Sequence, residues 1–401
     1  MRPATRQRIR LSGGRGSASR AAALCLTVVL CACAGRRSES SDTSPGSEPA
    51  PAPTDSPSAT AVPAQPDELG DVVQELSDNL WIVFQDSRNI CWFGSDGQGV
   101  YRFDGKTIVR YTTGDGLSND HIRQILEDGA GNLYFNTSGG ISRFDGRRFT
   151  TLVPLESGSA AGAWTSEPGD LWFTGRQEDN GIYRYDGRSL HHLEFPKHAL
   201  EDEFISRIFD FRAPGAPFNP YGVYTIHRDS RGSLWFGTST FGVCRYDGTS
   251  LKWISDDELI ELDGGASFGV RGIIEDKDGK FWFSNLLHRY DAYPHDGAAN
   301  EAAEPWYRKE HGLVASGEKG VGPSCFMSGL TDAQGVSWMA TYGEGVWRWD
   351  GEHLTHFPVA AGGQLVTLYS IHEDNEGVLW LGTQAAGAWR FNGSTFERFR
   401  P

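Results

Sequence analysis

The sequence lacks several features that define common protein classes. Beyond residue 30 it has no long hydrophobic run, and a membrane-spanning helix needs about 20 apolar residues. It has no basic excess: the formal net charge is −15, and an acidic surface repels phosphate backbones, so nucleic-acid binding is not expected. No stretch after residue 66 shows the hydrophobic period of an amphipathic helix. An all-β protein that does not span a membrane is therefore predicted.

Catalytic signatures are also missing. The chain has no Gly-x-Ser-x-Gly, no His-Glu-x-x-His and no phosphate-binding loop. Asp276–Gly279 begins like a calcium loop, but Leu287 stands where the twelfth-position glutamate belongs, so we predict a hairpin turn. We expect no metal, no cofactor and no catalytic residue, although the eleven histidines could still meet in space.

Cysteines are few. After residue 32 only Cys33, Cys91, Cys244 and Cys325 occur. If Cys33 is modified, an odd number remains, which provides no disulfide framework. Cys91 and Cys244 fall inside predicted strands, where a small apolar side chain suits a buried position.

The first 66 residues differ from the rest. Residues 1–32 carry six arginines and no acid, and the apolar run Ala21–Leu30 follows them, which is typical of an export signal. The end of this run, Leu30-Cys31-Ala32-Cys33, resembles a bacterial lipobox. That resemblance implies that Cys33 begins the mature chain and carries a lipid. The alternative is an ordinary secretory signal with a chance cysteine.

Residues 33–66 are rich in Ser, Pro, Ala and Thr, and such a segment buries too little apolar surface to fold. We predict a disordered tether that joins a membrane lipid to the folded part. Removal of residues 1–32 takes the net charge from −15 to −21. Ala34 after the lipobox cysteine favours the outer membrane, if the bacterium has two.

Residues 67–401 contain an internal repeat. Asp86–Gly94 (DSRNICWFG) and Asp229–Gly237 (DSRGSLWFG) are nearly the same segment. Each copy has four strand patterns, and the third strand of each copy ends at Asp104, Asp145, Asp186, Asp247, Asp291, Asp350 and Asn392. A period near 42 residues with four strands per copy predicts a seven-bladed β-propeller of four-stranded antiparallel blades. Ring closure is open: the seventh copy looks complete, but residues 67–78 could instead supply a strand.

These motifs resemble the two-component regulator propeller repeat. The resemblance rests on Glu373–Thr383 (EDNEGVLWLGT), on third strands such as Gly181–Gly187 (GIYRYDG), and on the linker Gly114–His121 (GDGLSNDH). The fifth copy departs most, with Ser284-Asn285 in place of Gly-Thr. The resemblance implies an extracytoplasmic sensor domain. No kinase pattern follows the seventh copy, so we expect signalling to require a partner protein.

Positions that are the same in every copy indicate structural roles. One third-strand arginine recurs in all seven copies, and we predict that it stacks on aromatic rings and pairs with acids between blades: Arg102, Arg143, Arg184, Arg245, Arg289, Arg348 and Arg390. His227 and His372 also align with each other. We predict packing positions for this pair, and the alternative is two metal ligands.

Insertions and variable positions point to a binding face. The long segments 194–221, 255–268 and 293–324 are all predicted to join the outer strand of one copy to the inner strand of the next, which places them on one face. The alternative is loop growth without function. Arginines among aromatics suit an anionic or sugar-like ligand. The candidate ligand-binding residues are His121, Arg123, Trp164, Tyr224, Phe241, Arg271, Met327, Tyr342 and Tyr369.

Three functions remain open. The first is a sensor-like binding module that acts through an envelope protein partner. The second is an enzyme, because propellers such as streptogramin lyases carry out catalysis on the same face; it would need a histidine and a carboxylate together there. The third is a structural scaffold of the cell envelope.

Overall fold

A computed structural model describes residues 69–156, 164–175, 181–209, 219–260, 269–293, 306–313 and 325–401. They belong to a compact unit that spans 65–401. The predicted signal, lipid cysteine and tether lie outside the described residues. Within the described ranges, no helix is long and apolar enough to cross a membrane.

The strands follow the sequence copies in order, each copy running from its inner to its outer strand. The first copy has an additional N-terminal strand. Its strands are β1 (Asp71–Val73), β2 (Leu80–Gln85), β3 (Cys91–Ser95), β4 (Val100–Phe103) and β5 (Ile108–Tyr111), and a short 3-10 turn follows at Thr113–Asp115. The second copy contains β6 (Ile122–Glu127), β7 (Leu133–Thr137), β8 (Gly140–Phe144) and β9 (Phe149–Leu152).

The third copy departs from the antiparallel pattern. Its described strands are β10 (Pro154–Glu156), β11 (Leu171–Thr174), β12 (Gly181–Tyr185) and β13 (Leu190–Glu194). β10 lies on the outer side of β13 and runs parallel to it, which corrects the prediction of four antiparallel strands for this copy. Residues 164–170, where the inner strand was expected, form no strand.

The fourth to seventh copies keep the antiparallel order. A helix, α1 (Glu201–Phe209), precedes the fourth copy, although no helix was predicted. The remaining strands are β14 (Val223–Arg228), β15 (Leu234–Thr238), β16 (Val243–Tyr246), β17 (Leu251–Ile254), β18 (Ile273–Glu275), β19 (Phe281–Phe283), β20 (His288–Asp291), β21 (Arg308–His311), β22 (Phe326–Thr331), β23 (Ser337–Thr341), β24 (Val346–Trp349), β25 (Leu354–Phe357), β26 (Ala360–Ala361), β27 (Gln364–Leu365), β28 (Leu368–Glu373), β29 (Leu379–Thr383), β30 (Trp389–Phe391) and β31 (Phe396–Arg398).

The nearly all-β fold of four-stranded antiparallel sheets is confirmed. The count of seven blades rests on the repeat and stays a prediction, because residues 157–163 are not described and one sheet joins strands of the first and last copies.

An aspartate explains the turn after the inner strand in every copy except the third. Asp86 is 5% exposed, and one of its oxygens accepts the backbone N–H groups of Arg88 and Ile90 at 3.0 and 2.9 Å. Its other oxygen accepts the indole N–H of Trp92 at 2.9 Å. The aspartates of the fourth to seventh copies bind their tryptophans in the same way. One side chain thus fixes both the hairpin and the first aromatic residue of the next strand.

The core lies between neighbouring copies. Trp92 of the first copy contacts Phe135 and Phe144 of the second copy, with ring centroids 5.5 and 5.8 Å apart. Each sheet is therefore covered on its faces by the aromatic side chains of the adjacent copy.

The last copy packs directly on the first. Leu80 pairs with Thr383, and the Ser370 hydroxyl donates to the Trp81 carbonyl at 2.7 Å. All four strands of the last copy come from the C-terminal segment, so that copy borrows no strand. The N-terminal strand β1 instead extends the outer edge of the first copy, where Val72 pairs with Val109 of β5.

The insertions do not all lie in the predicted kind of connection. α1 lies between β13 and β14, an outer-to-inner connection, as expected. However, β21 lies inside the segment 293–324 and pairs with β20 as the outer strand of the fifth copy. The connection between β20 and β21 therefore joins a third strand to a fourth, which corrects the assignment of all three insertions to one face. Residues 261–268 and 314–324 lie outside the described parts.

Candidate functional site

In five copies, a β-bulge near the start of the inner strand leaves one residue outside the regular strand pairing. The register shifts there leave Trp81, Arg123, Tyr224, Met327 and Tyr369 without a partner on the adjacent strand. Each of these residues lies five positions before the turn aspartate of its copy, as does Arg271 of the fifth copy. A bulge re-aims a side chain and ends regular pairing, which suits a functional position.

Three of these side chains form a continuous stack. The rings of Trp81 and Tyr369 are parallel within 3°, with centroids 4.2 Å apart. The guanidinium carbon of Arg123 lies 4.8 Å from the centroid of the Trp81 ring. The indole N–H of Trp81 donates to Asn79 Oδ1 at 2.9 Å, which fixes the plane of the stack. The stack brings the last, first and second copies together.

Asp96 places a carboxylate beside this stack. Its Oδ1 lies 2.8 Å from His121 Nδ1 and 3.7 Å from Arg123 Nη1. Arg123 also donates from Nε to the Ser138 hydroxyl at 3.2 Å. The side chains of His121 and Arg123 remain 45% and 40% exposed. One carboxylate thus orients two cationic or ionisable groups that solvent can still reach.

A second cation–aromatic pair involves Arg271. Its guanidinium carbon lies 3.9 Å from the centroid of the Tyr224 ring, and Tyr224 is 39% exposed. The backbone N–H groups of Arg271 and Gly272 donate to the Ser284 hydroxyl at 2.6 and 2.9 Å. Ser284 has a positive φ of 55°. The serine that departs from the repeat pattern in the fifth copy therefore holds the segment that carries Arg271.

Charges from four other copies influence the ionisation of the Tyr369 hydroxyl. Burial raises its pKa, the charges of Tyr342 and Asp96 raise it further, and those of Arg271 and Arg123 lower it. We call this group the Tyr369 cluster, with the members Trp81, Asp96, Arg123, Arg271, Tyr342 and Tyr369. It unites four predicted residues from four different copies.

Other predicted residues lie elsewhere. Trp164 is 6% exposed, and its indole donates to the Glu194 carbonyl at 3.1 Å inside an aromatic core. It stands six positions before Asp170, in phase with the buried Leu80 and Leu368, so its side chain points inward. Phe241 is fully buried in the same core, and Met327 is 8% exposed. We leave these three residues out of the site.

Sequence reasoning missed Trp81 and Asp96. A usable signal exists for Trp81, because it precedes Asp86 by the same five positions as Arg123 precedes Asp128. Asp96 has no such signal. It lies in the loop between β3 and β4, and only the packing of the first copy against the second brings it to His121.

The aligned histidines occupy packing positions. His372 Nε2 accepts the backbone N–H of Gln85 at 3.1 Å, and burial lowers the pKa of His372 to about 4. His227 is packed edge-on against Phe281, and burial lowers its pKa as well. Among the described residues, no three or more His, Cys, Asp or Glu side chains are arranged to hold a metal ion.

The repeated arginines pair mostly within their own copy. Arg102, Arg245 and Arg348 each contact the aspartate two positions later, at 3.2, 3.3 and 3.1 Å. Arg289 binds Asp276 and Asp278 of the same copy. The prediction of acid pairing between copies is therefore wrong for these residues, whereas stacking between copies does occur, with Arg245 4.8 Å from the ring centroid of Trp306.

A family model supports the resemblance stated for the repeat. Residues 217–240 match the model described as "Two component regulator propeller". Together with the structural neighbours below, this match is consistent with the two-component regulator propeller family and confirms the predicted resemblance. No curated protein matches the chain in sequence.

Solved structures with a similar fold include extracellular domains of regulator proteins and lyases. The extracellular domain of a putative one component system from B. thetaiotaomicron matches with a TM-score of 0.51 and 20% identity over 82% of this chain. The match covers 40% of that domain, so this chain spans about two fifths of its length. A catalytically inactive virginiamycin B lyase from Staphylococcus aureus, solved with quinupristin, matches with a TM-score of 0.53 and 14% identity, over 78% of this chain and 96% of the lyase. At these identities the likeness shows the propeller fold alone.

Proposed function

We propose that this protein is an exported, sensor-like propeller that binds an anionic ligand at the Tyr369 cluster and acts through an envelope partner. The two accessible guanidinium groups held on aromatic rings, Arg123 on Trp81 and Arg271 on Tyr224, carry the proposal. Guanidinium groups held on aromatic faces are oriented before a ligand arrives, so less conformational freedom is lost on binding. The likeness to extracellular domains of regulator proteins supports the sensor role by analogy of fold.

The proposal includes a lipid anchor at Cys33. The basic segment, the apolar run and the lipobox pattern support export and anchoring. The side of the membrane and the outer membrane location belong to the same proposal and rest on Ala34 alone.

A double substitution, Arg123→Ala with Arg271→Ala, tests the binding site. A hydrogen bond to a charged group contributes about 1.5–3 kcal/mol, so loss of both arginines should weaken anion binding by at least about a hundredfold. We would screen small carboxylates, phosphate and acidic sugars by thermal shift, since a ligand of the folded state raises the melting temperature, and then measure affinities by calorimetry.

The matched control is Arg147→Ala with Arg188→Ala, which removes the same charge from two exposed turns. It should leave affinity unchanged. If the double variant of the Tyr369 cluster binds as tightly as the control, the site assignment is wrong.

One observation favours catalysis as a second candidate. His121 Nδ1 contacts Asp96 at 2.8 Å, while the imidazole is 45% exposed. A carboxylate that orients an accessible imidazole is the geometry of a general base. His121 and Asp96 are thus the histidine and carboxylate that catalysis would need, and Arg123 is the second group near Asp96, at 3.7 Å. Turnover of a bound ligand that His121→Asn abolishes without weakening binding would support this alternative.

A further inference from the structure

A cleft of about 470 Å³ opens over the seam between the first and last copies. Its walls come from the segment before β2, the loop between β3 and β4, and the loop between β29 and β30. We call it the seam cleft, and its lining residues are Glu75, Leu76, Ser77, Asp78, Asn79, Gln98, Gln384 and Ala385.

The seam cleft is acidic, whereas the predicted anion site carries the basic residues Arg123 and Arg271. Its lining contains two carboxylates, three amides and a hydroxyl, and no lysine, arginine or histidine. Asp78 is already bonded to Arg398. Glu75 is exposed and makes no ion pair with any described residue. Amide oxygens and a carboxylate with unused acceptor sites favour a donor-rich cation such as a primary ammonium.

Asn79 in the lining of the seam cleft is hydrogen-bonded to two members of the Tyr369 cluster. The Asn79 amide oxygen accepts the indole N–H of Trp81 at 2.9 Å, and its amide nitrogen donates to the Asp96 carbonyl at 3.4 Å. Trp81 and Asp96 both contact Arg123. A ligand that lies over Asn79 therefore meets an acidic region on one side and a guanidinium on the other.

Backbone strain is present in the cleft wall. Ala385 has a φ of 59°, in the left-handed region that disfavours residues with a Cβ atom. The corresponding loop positions of the first and sixth copies are Gly97 and Gly343, which have φ values of 102° and 155°. The last copy thus keeps a methyl group in the cleft where other copies have glycine, and such strain concentrates at ligand sites.

We propose that the seam cleft is an ammonium subsite, so that the ligand of the Tyr369 cluster is a zwitterion of the short-peptide class. Its carboxylate binds Arg123 and Arg271, and its ammonium binds Glu75 and the neighbouring amide oxygens. This inference rests on the proposed function and adds the second charge of the ligand. A peptide of three residues spans up to about 10 Å, enough to lie across Asn79 with one charge on each side.

Three related probes separate the two charges. They are tri-alanine, N-acetyl-tri-alanine, which lacks the ammonium, and tri-alanine methyl ester, which lacks the carboxylate. With the full chain, calorimetry should show that tri-alanine binds about tenfold more tightly than the acetylated form and more tightly than the ester. Glu75→Gln should remove the advantage of tri-alanine and leave the affinity for the acetylated form unchanged.

Glu352→Gln is the matched control, because Glu352 is an exposed glutamate in a turn and does not line the cleft. It should bind all three probes as the unchanged protein does. Equal affinity for tri-alanine and its acetylated form, or no effect of Glu75→Gln, would overturn the ammonium subsite while leaving anion binding intact. If Arg123→Ala with Arg271→Ala does not weaken the acetylated probe, the proposed function fails instead. Failure of all three probes to bind overturns the peptide class, and the small-anion screen then decides the proposed function separately.

Discussion

The inner-strand aspartates show how one side chain fixes local structure. Asp229 is 5% exposed, and its Oδ1 accepts the backbone N–H groups of Arg231 and Ser233 at 3.0 and 2.8 Å. Its Oδ2 accepts the Trp235 indole at 2.8 Å and the Tyr293 hydroxyl at 2.7 Å. Four donors from two copies therefore depend on one carboxylate.

Asp229→Ala should destabilise the fold by about 3 kcal/mol or more, because it leaves buried donors without an acceptor. Urea unfolding followed by tryptophan fluorescence would measure the loss. Asp145→Ala is the control, since this exposed carboxylate accepts only two turn N–H groups, and it should cost clearly less. Equal losses in both variants would contradict this role for the inner-strand aspartates.

At the scale of elements, the insertion before the fourth copy is attached to that copy through His198. This residue is 6% exposed, and its ring stacks on Phe241 with centroids 4.4 Å apart. His198 Nδ1 accepts the Leu200 N–H at 3.1 Å, so Nε2 donates to the Ser255 hydroxyl at 3.1 Å. These bonds require the neutral imidazole, and burial lowers the pKa of His198 to about 4.

The lowered pKa predicts a loss of stability in acid. The unfolded chain takes up this proton near pH 6.5, whereas the folded protein takes it up only near pH 4. The stabilisation is therefore full above about pH 6.5 and is lost as pH falls towards 4. At pH 5 the loss from His198 alone should be about 2 kcal/mol.

Urea unfolding of His198→Gln at pH 7 and pH 5 would test this expectation. The variant should be less stable at pH 7 but should lose less stability between the two pH values than the unchanged protein. His353→Gln is the control, since that side chain is 76% exposed, and it should keep the original pH dependence. An unchanged pH dependence in His198→Gln would rule out the proposed contribution.

At the scale of the whole molecule, we predict that a lipid on Cys33 holds the protein at a membrane. If Cys33 carries a lipid, the exported protein should appear in the membrane fraction. Each methylene group of an acyl chain that enters the bilayer contributes about 0.8 kcal/mol of favourable free energy. Cys33→Ser should be released as soluble protein of lower mass, while Cys31→Ser should stay anchored. Membrane association that survives Cys33→Ser would exclude the lipobox interpretation.

The folded part of the molecule depends on contacts between residues far apart in sequence. Trp81 stacks on Tyr369, and the Gln85 N–H binds His372 across the seam. The same seam carries the stack of the Tyr369 cluster and one wall of the seam cleft. The candidate site therefore forms only when the last copy packs against the first.

Much of this architecture follows from the sequence because its determinants are local. The turn aspartate and its tryptophan lie six positions apart, so the repeat that predicts the fold also contains the bonds that build each hairpin. A five-residue spacing before the same aspartate marks the bulged positions. The predicted residues Arg123, Arg271 and Tyr369 have this spacing, and their role in binding stays a prediction. Trp164 lies six positions before Asp170, one position out of phase with the bulged residues, and it is buried.

Tertiary structure alone decided the rest, since the remaining contacts join different copies. Asp96 reaches His121 of the next copy, and Tyr342, Arg271 and Arg123 act on the hydroxyl of Tyr369 from three other copies. β21 lies within a segment that resembled a single long loop. A repeat specifies the geometry inside each copy, but which side chains meet depends on how the copies are arranged around one another, and no short sequence pattern contains that arrangement.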